Sequence, residues 1–192
     1  MNVIFLDFDG VLDTNYYQAY VTTEEKIKIL ADICHTYDAK VVIEAAAKEA
    51  IDEELLTIDS KSRWVLYLFY LFNKYDIEVI GRTSSVRKYE DNEKKFYTEM
   101  WKEDEIRLYL MRHPEIEHYC VIDDDDLLKI RHRKSDLDKV REHLVSPDYY
   151  NDDNPQEEGL QPYHKEMVGE ALKKENEVRR LILKYSNKTL NK

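Results

Sequence analysis

Apolar residues in this chain gather into short continuous runs, and between the runs they recur every three or four positions. The runs are Val3-Ile4-Phe5-Leu6, Lys40-Val41-Val42-Ile43, Glu78-Val79-Ile80-Gly81 and Tyr119-Cys120-Val121-Ile122. Runs of this length, rich in β-branched residues and bounded by polar ones, predict strands buried on both faces. Thr22-Thr23-Glu24-Glu25 then reads as a helix start, and Ile27, Leu30, Ile33 and Cys34 as the apolar stripe behind it. Helix-favouring residues 44–56 predict a second helix, and Trp64, Leu68, Leu71 and Phe72 mark a third within 60–75, all core-facing. A fourth covers 102–111 with Ile106 and Leu110 inward, Ser135-Asp136-Leu137-Asp138 caps another, and residues 163–185 predict one long C-terminal helix. Strands alternating with helices define an α/β fold around a parallel sheet covered on both faces.

Two polar stretches interrupt this pattern. Residues 82–101, carrying Tyr89, Phe96 and Tyr97, predict a small cap or an ordered loop, and residues 147–162 predict a long exposed loop. No repeat or flexible linker divides the chain, so its 192 residues are expected to form a single domain, 1–192.

Charge narrows the partners. With 40 acids against 29 bases the net charge is −11, so no global basic field exists to hold nucleic acid or an anionic membrane. An anionic ligand would need local cations or a metal. Cys34 and Cys120 lack metal-ligand spacing and are expected to be buried, reduced thiols. The run at residues 3–6 has no basic leader and is broken by Asp7, so neither a signal peptide nor a membrane span is expected, and the setting is cytoplasmic. His113, His118, His132, His143 and His164 show no metal spacing and are expected at the surface. Arg131-His132-Arg133-Lys134 is a compact basic patch beside an acidic run, although most such runs are merely solvated.

The sharpest signal is Asp7-Phe8-Asp9-Gly10-Val11-Leu12-Asp13-Thr14, two acids on alternating positions directly after a buried strand and before a glycine. A generic Asp-x-Asp is more often a helix cap beside a solvated acid. The strand before it and the tight turn after it favour function, because ligands in open α/β sheets bind outside the carboxyl ends of the strands. A second acidic pair, Asp123 and Asp124, follows the fourth strand; if the two strands are neighbours, all four carboxylates meet at one rim. Like charges so close call for a cation, and hard oxygen ligands with open positions suit Mg²⁺. One carboxylate could then attack phosphorus while a second passes protons.

Hydrophobic strand, then Asp7-Phe8-Asp9-Gly10-Val11-Leu12-Asp13-Thr14, resembles the first motif of the haloacid dehalogenase-like superfamily. Val121-Ile122-Asp123-Asp124 resembles its fourth. The resemblance implies a Rossmann-like three-layer sandwich with a mainly parallel sheet and a small cap or none. It implies Asp7 as nucleophile and Asp9 as general acid/base. The Asp7 carboxylate, the Asp9 carbonyl, Asp123 and Asp124 would be the Mg²⁺ ligands, with Gly10 beside the phosphate. Lys102 stands where the family places a basic residue, with Arg87, Lys94 and Lys95 as nearby alternatives. Gly81-Arg82-Thr83, Trp101-Lys102-Glu103-Asp104-Glu105-Ile106, Asp123-Asp124-Asp125 and Gly159-Leu160, in this order, are similar to the small domains of this superfamily in bacterial RNA-repair proteins.

One position departs from the pattern. The family's second motif is a Ser or Thr after the second strand, whereas here Ile43 is followed by Glu44-Ala45-Ala46-Ala47. Alanine has no hydroxyl to donate. Backbone N–H groups at Ala45, opening the helix expected there, or a displaced hydroxyl such as Thr83 or Ser84, are the remaining phosphate donors. The resulting expectation is a Mg²⁺-dependent phosphatase acting through an aspartyl-phosphate. Its substrate would be a phosphorylated small molecule or a nucleic-acid end, with no membrane and no stable protein partner. The alternative is a weakened or inactive module of the same fold that binds a phosphorylated ligand.

Overall fold

The computed structural model describes residues 1–13, 19–52, 58–59, 62–84, 102–124, 137–148 and 158–189. Five strands form one parallel sheet: β1 (Asn2–Leu6), β2 (Ala39–Ile43), β3 (Val79–Arg82), β4 (His118–Ile122) and β5 (Leu144–Val145), in the order β3-β2-β1-β4-β5. The four expected apolar runs are β1 to β4. A parallel sheet needs a crossover between successive strands. Helices α1 (Ala19–Tyr37), α2 (Arg63–Lys74), α3 (Lys102–Arg112) and α4 (Leu137–Glu142) lie in those connections, and α5 (His164–Leu172) and α6 (Glu177–Thr189) follow the sheet.

Side chains of a strand alternate between faces, and the core divides accordingly. Ile4 and Leu6 of β1, Val41 and Ile43 of β2, and Cys120 and Ile122 of β4 pack with α1, α2 and α5. Val3, Phe5, Val42, Tyr119 and Val121 pack on the other face with Ile106, Tyr109 and Leu110 of α3, Val140 of α4 and Val178 of α6. Phe5 meets the rings of Tyr109 and Tyr119 edge-on at 5.7 and 5.9 Å. Such pairs add about 0.5–1.5 kcal/mol each beyond the area they bury. The result is a Rossmann-like three-layer α/β sandwich. No helix among the described residues is long and apolar enough to cross a membrane.

Several expectations are corrected. Residues 44–56 do not form an α-helix: Ala45 is extended, with φ −121° and ψ 157°, and a 3₁₀ helix, Ala46–Ala50, follows. Ile51 then bridges to Ile58 in extended pairing. Helix propensity is outweighed here because Glu44 and Lys48 are both drawn into a buried polar cluster. The C-terminal helix is two helices, parted at 173–176, where buried Asn176 donates to the Ile116 carbonyl at 3.0 Å and accepts the Arg179 amide at 3.1 Å. Helix α1 starts at Ala19, so Thr22 and Thr23 lie within it rather than capping it.

His143 and His164 are buried rather than superficial. His143 stacks on Tyr119 at 3.9 Å, and His164 Nδ1 accepts the Gln161 amide at 2.9 Å at the start of α5. Burial lowers the pKa of both rings. Trp64 packs against the core edge and is only partly buried. Cys34 and Cys120 are free and buried, as expected, and burial pushes the Cys34 thiol up to about 12. The cap or loop beyond residue 84, the basic patch at 131–134, His132 and most of the 147–162 loop lie outside the described residues.

Candidate active site

The sheet order places β1 between β2 and β4, with connections leaving to opposite sides, which is the switch point where open α/β sheets bind ligands. Register sets the rest. Leu6 pairs with both Ile43 and Ile122, so the next residues, Glu44, Asp7 and Asp123, stand side by side just past the strands. The ladder continues through them: the Asp7 amide donates to Ile122 at 2.9 Å and the Glu44 amide to Leu6 at 2.8 Å. By the same alternation Asp7 follows Val3 and Phe5, Asp123 follows Tyr119 and Val121, and Glu44 follows Val42. All three therefore face α3.

Asp7 and Asp123 are buried, 5% and 0% exposed, and carboxylates this deep need partners. Lys102, the first residue of α3, supplies one to both: its Nζ lies 2.5 Å from Asp7 Oδ2 and 2.8 Å from Asp123 Oδ2. Burial alone would lower the Lys102 ammonium pKa, but the two carboxylates outweigh it and hold the pKa above the ordinary lysine value. Asp7 Oδ1 accepts the Phe8 amide at 2.7 Å. One carboxylate oxygen from each of Asp7, Asp123 and Asp124 lies within 4.8 Å of the others. Hard carboxylate oxygens grouped in this way could hold a divalent metal ion.

The turn after Asp9 closes this rim. Gly10 has φ +74°, a left-handed conformation that favours glycine, and a Cβ there would run into the Asp124 carboxyl. The Gly10 amide donates to Asp13 at 2.9 Å, while Phe8, Val11 and Leu12 are fully buried and anchor the turn. Leu160, next to Gly159 with its own φ of +67°, donates to the Val11 carbonyl at 2.9 Å. Asp9 stands exposed above this frame, outside the three-carboxylate group. Partial desolvation, then the Asp7 charge, raise the Asp9 pKa above its ordinary value, and Lys102 opposes them. Asp13 is raised likewise, by burial and by Asp9.

The expected phosphate donors are placed differently. The Thr83 hydroxyl is fully buried, donates to Glu44 and accepts Lys48 Nζ at 2.9 Å, so it is already engaged. Ala45 precedes a five-residue 3₁₀ helix, not an α-helix, and the dipole expected of a long helix N-terminus is not there. Ser84 accepts Arg112 at 3.0 Å. Lys48 is the residue that sequence reasoning passed over: its buried Nζ contacts Glu44, Thr83 and Glu105. The signal was an acid directly after a buried strand, which requires a hydrogen-bonding partner.

An all-parallel Rossmann-like sheet whose acidic rim lies at the β1/β4 switch and is met by a lysine from α3 is the arrangement expected of a haloacid dehalogenase-like domain. Residues 3–151 match the family described as the HAD domain in Swiss Army Knife RNA repair proteins, and the chain belongs to that family. No curated protein and no solved structure matches the chain.

Proposed function

We propose that this chain, acting as one domain, is a Mg²⁺-dependent phosphatase that removes a phosphate from an ester through an aspartyl-phosphate on Asp7. The observation that carries the reading is Lys102 joined to both Asp7 and Asp123 beside the Asp7, Asp123, Asp124 carboxylates. Asp7, Asp123 and Asp124, with the Asp9 carbonyl, would hold the ion. When bound, it neutralises charge on the phosphoryl oxygens.

The chain's own groups do the rest. Lys102 draws charge from Asp7 and orients it, and the Phe8 amide holds its other oxygen. A free lone pair of the Asp7 carboxylate attacks phosphorus, the phosphorus–oxygen ester bond breaks, and Asp9 gives its proton to the leaving oxygen. The raised Asp9 pKa supports that role, since a carboxyl must hold its proton to give it. Asp9 then takes a proton from the water that hydrolyses the acyl phosphate, returning both carboxyls to their first states. Membership of a family named for RNA repair favours a nucleic-acid end over a phosphorylated small molecule as substrate. The two buried free thiols fit a reducing cytoplasmic setting.

A second reading is favoured by Ala45 and by the engagement of Thr83: with no free hydroxyl at the second motif, the domain would bind a phosphorylated end without turning it over. The deciding assay is Mg²⁺-dependent phosphate release from 5′- and 3′-phosphorylated oligonucleotides, nucleotides and sugar phosphates. Release that falls about a thousandfold or more in Asp7→Asn supports the phosphatase. Binding of a phosphorylated oligonucleotide with no release from any substrate supports the module instead.

A further inference from the structure

Lys48 lies at the centre of a buried polar cluster beside the candidate active site. Its side chain is 8% exposed, and its ammonium contacts both Glu44 oxygens at 3.2 Å, Thr83 Oγ1 at 2.9 Å and Glu105 Oε2. The Thr83 hydroxyl donates in turn to Glu44. Four elements of the fold therefore meet at one nitrogen: the end of β2, the 3₁₀ helix, the end of β3 and the first turn of α3.

A buried ion cluster is weak evidence for stability, because its desolvation offsets its attraction; its better-attested use is to set one geometry. What this cluster sets can be read from α3. Among the described residues the helix begins at Lys102, and its apolar anchors, Ile106, Tyr109 and Leu110, all come after Glu105. The opening turn thus depends on polar contacts. Lys102 and Glu105, three residues apart, lie on the same side of that turn. Lys102 reaches toward Asp7 and Asp123, while Glu105 is gripped by Lys48. Glu44, the cluster's other acid, is tied by its amide to Leu6, the residue before Asp7.

We propose that Lys48 is a positioning residue: by fastening Glu105 to the carboxyl edge of the sheet, it fixes the first turn of α3 and so the placement of the Lys102 ammonium between Asp7 and Asp123. The functional weight of this device rests on the reading of Lys102 as part of the active site, but the placement itself is testable without any activity. An ammonium pinned between two carboxylates is shielded from an amine-acylating reagent, and one displaced from them is more accessible to it.

The experiment is therefore the acylation rate of Lys102, followed by peptide mass spectrometry in the full chain. It would compare the parent, Glu105→Gln, Lys48→Met, Lys48→Arg and, as a remote control, Lys40→Met, with circular dichroism to confirm folding. The inference expects Lys102 to react about threefold faster or more in Glu105→Gln and Lys48→Met, with the parent rate regained in Lys48→Arg and kept in Lys40→Met. If Lys48→Met does not fold, Glu105→Gln decides alone. An unchanged Lys102 rate in Glu105→Gln overturns the inference, whether or not the parent is a phosphatase.

If the parent does release phosphate, a second readout applies. The activity lost in Glu105→Gln should be absent when the same change is made on Lys102→Met, because the two act in series. Equal fractional losses on both backgrounds would mean that the cluster supports the fold generally, and would also overturn the inference. A parent with no phosphatase activity but with the expected labelling pattern would sink the proposed reaction and leave the positioning device standing.

Discussion

Asp7, Asp123 and Asp124 were readable as neighbouring carboxylates at one rim because each feature that matters is local: an acid directly after a buried strand, and a glycine where the turn must go left-handed. The Glu44, Lys48, Thr83 and Glu105 cluster was not, since β2, the 3₁₀ helix, β3 and α3 bring its members together, Lys48 meeting Glu105 across 57 residues of sequence. Its electrostatics can be tested directly. Burial, opposed by Lys48 and reinforced by Glu105, holds the Glu44 carboxyl well above its ordinary value of 4.5. The native state therefore binds that proton more tightly than the unfolded chain does. Its stabilising contribution is full below the unfolded value and is lost as pH rises toward the folded one. Glu44→Gln should accordingly show a flatter dependence of melting temperature on pH from 4.5 upward than the parent. Parallel curves for the two proteins would contradict this assignment.

The strands were the legible elements. A continuous apolar run buried on both faces has few alternatives, and the four runs of the sequence are β1 to β4 within a residue or two at their ends. The helix expected over 44–56 and the single helix expected over 163–185 show the converse. Both stretches have good helix formers and no Pro at the break; nothing local marks the first failure, and the local mark of the second is a capping residue type, Asn176, directly before α6. In the second case the decision belongs to Asn176, which caps α6 through Arg179 and reaches back to Ile116 at the entry to β4. Asn176→Ala should cost about 1–2 kcal/mol in urea unfolding, the sum of a lost cap and an orphaned buried carbonyl. A loss below about 0.5 kcal/mol would mean that the break between α5 and α6 is held elsewhere.

Across the whole molecule, a net charge of −11 stands against the nucleic-acid end favoured as substrate. The two are compatible if recognition is confined to the terminal phosphate at the acidic rim, with a cation and Lys102 as the local positive charge. Binding of a phosphorylated oligonucleotide, measured by fluorescence anisotropy at fixed free Mg²⁺, should then depend only weakly on KCl. The log–log slope should be no steeper than about −2, the value for roughly two phosphate contacts. A slope several times steeper would place a basic surface in contact with the strand. It would bring the Arg131-His132-Arg133-Lys134 patch, outside the described residues, into the account.

By itself the sequence determined the α/β class, the strands and the residues at their carboxyl ends, because apolar runs, turn glycines and acidic pairs act over a few neighbouring positions. Only the tertiary structure decided that β1 lies beside β4 and brings Asp7 to Asp123, that Lys102 joins them, and that Glu44 and Lys48 leave their helix for a buried cluster. Those outcomes depend on contacts between distant segments, where one buried charge outweighs several residues' worth of local preference.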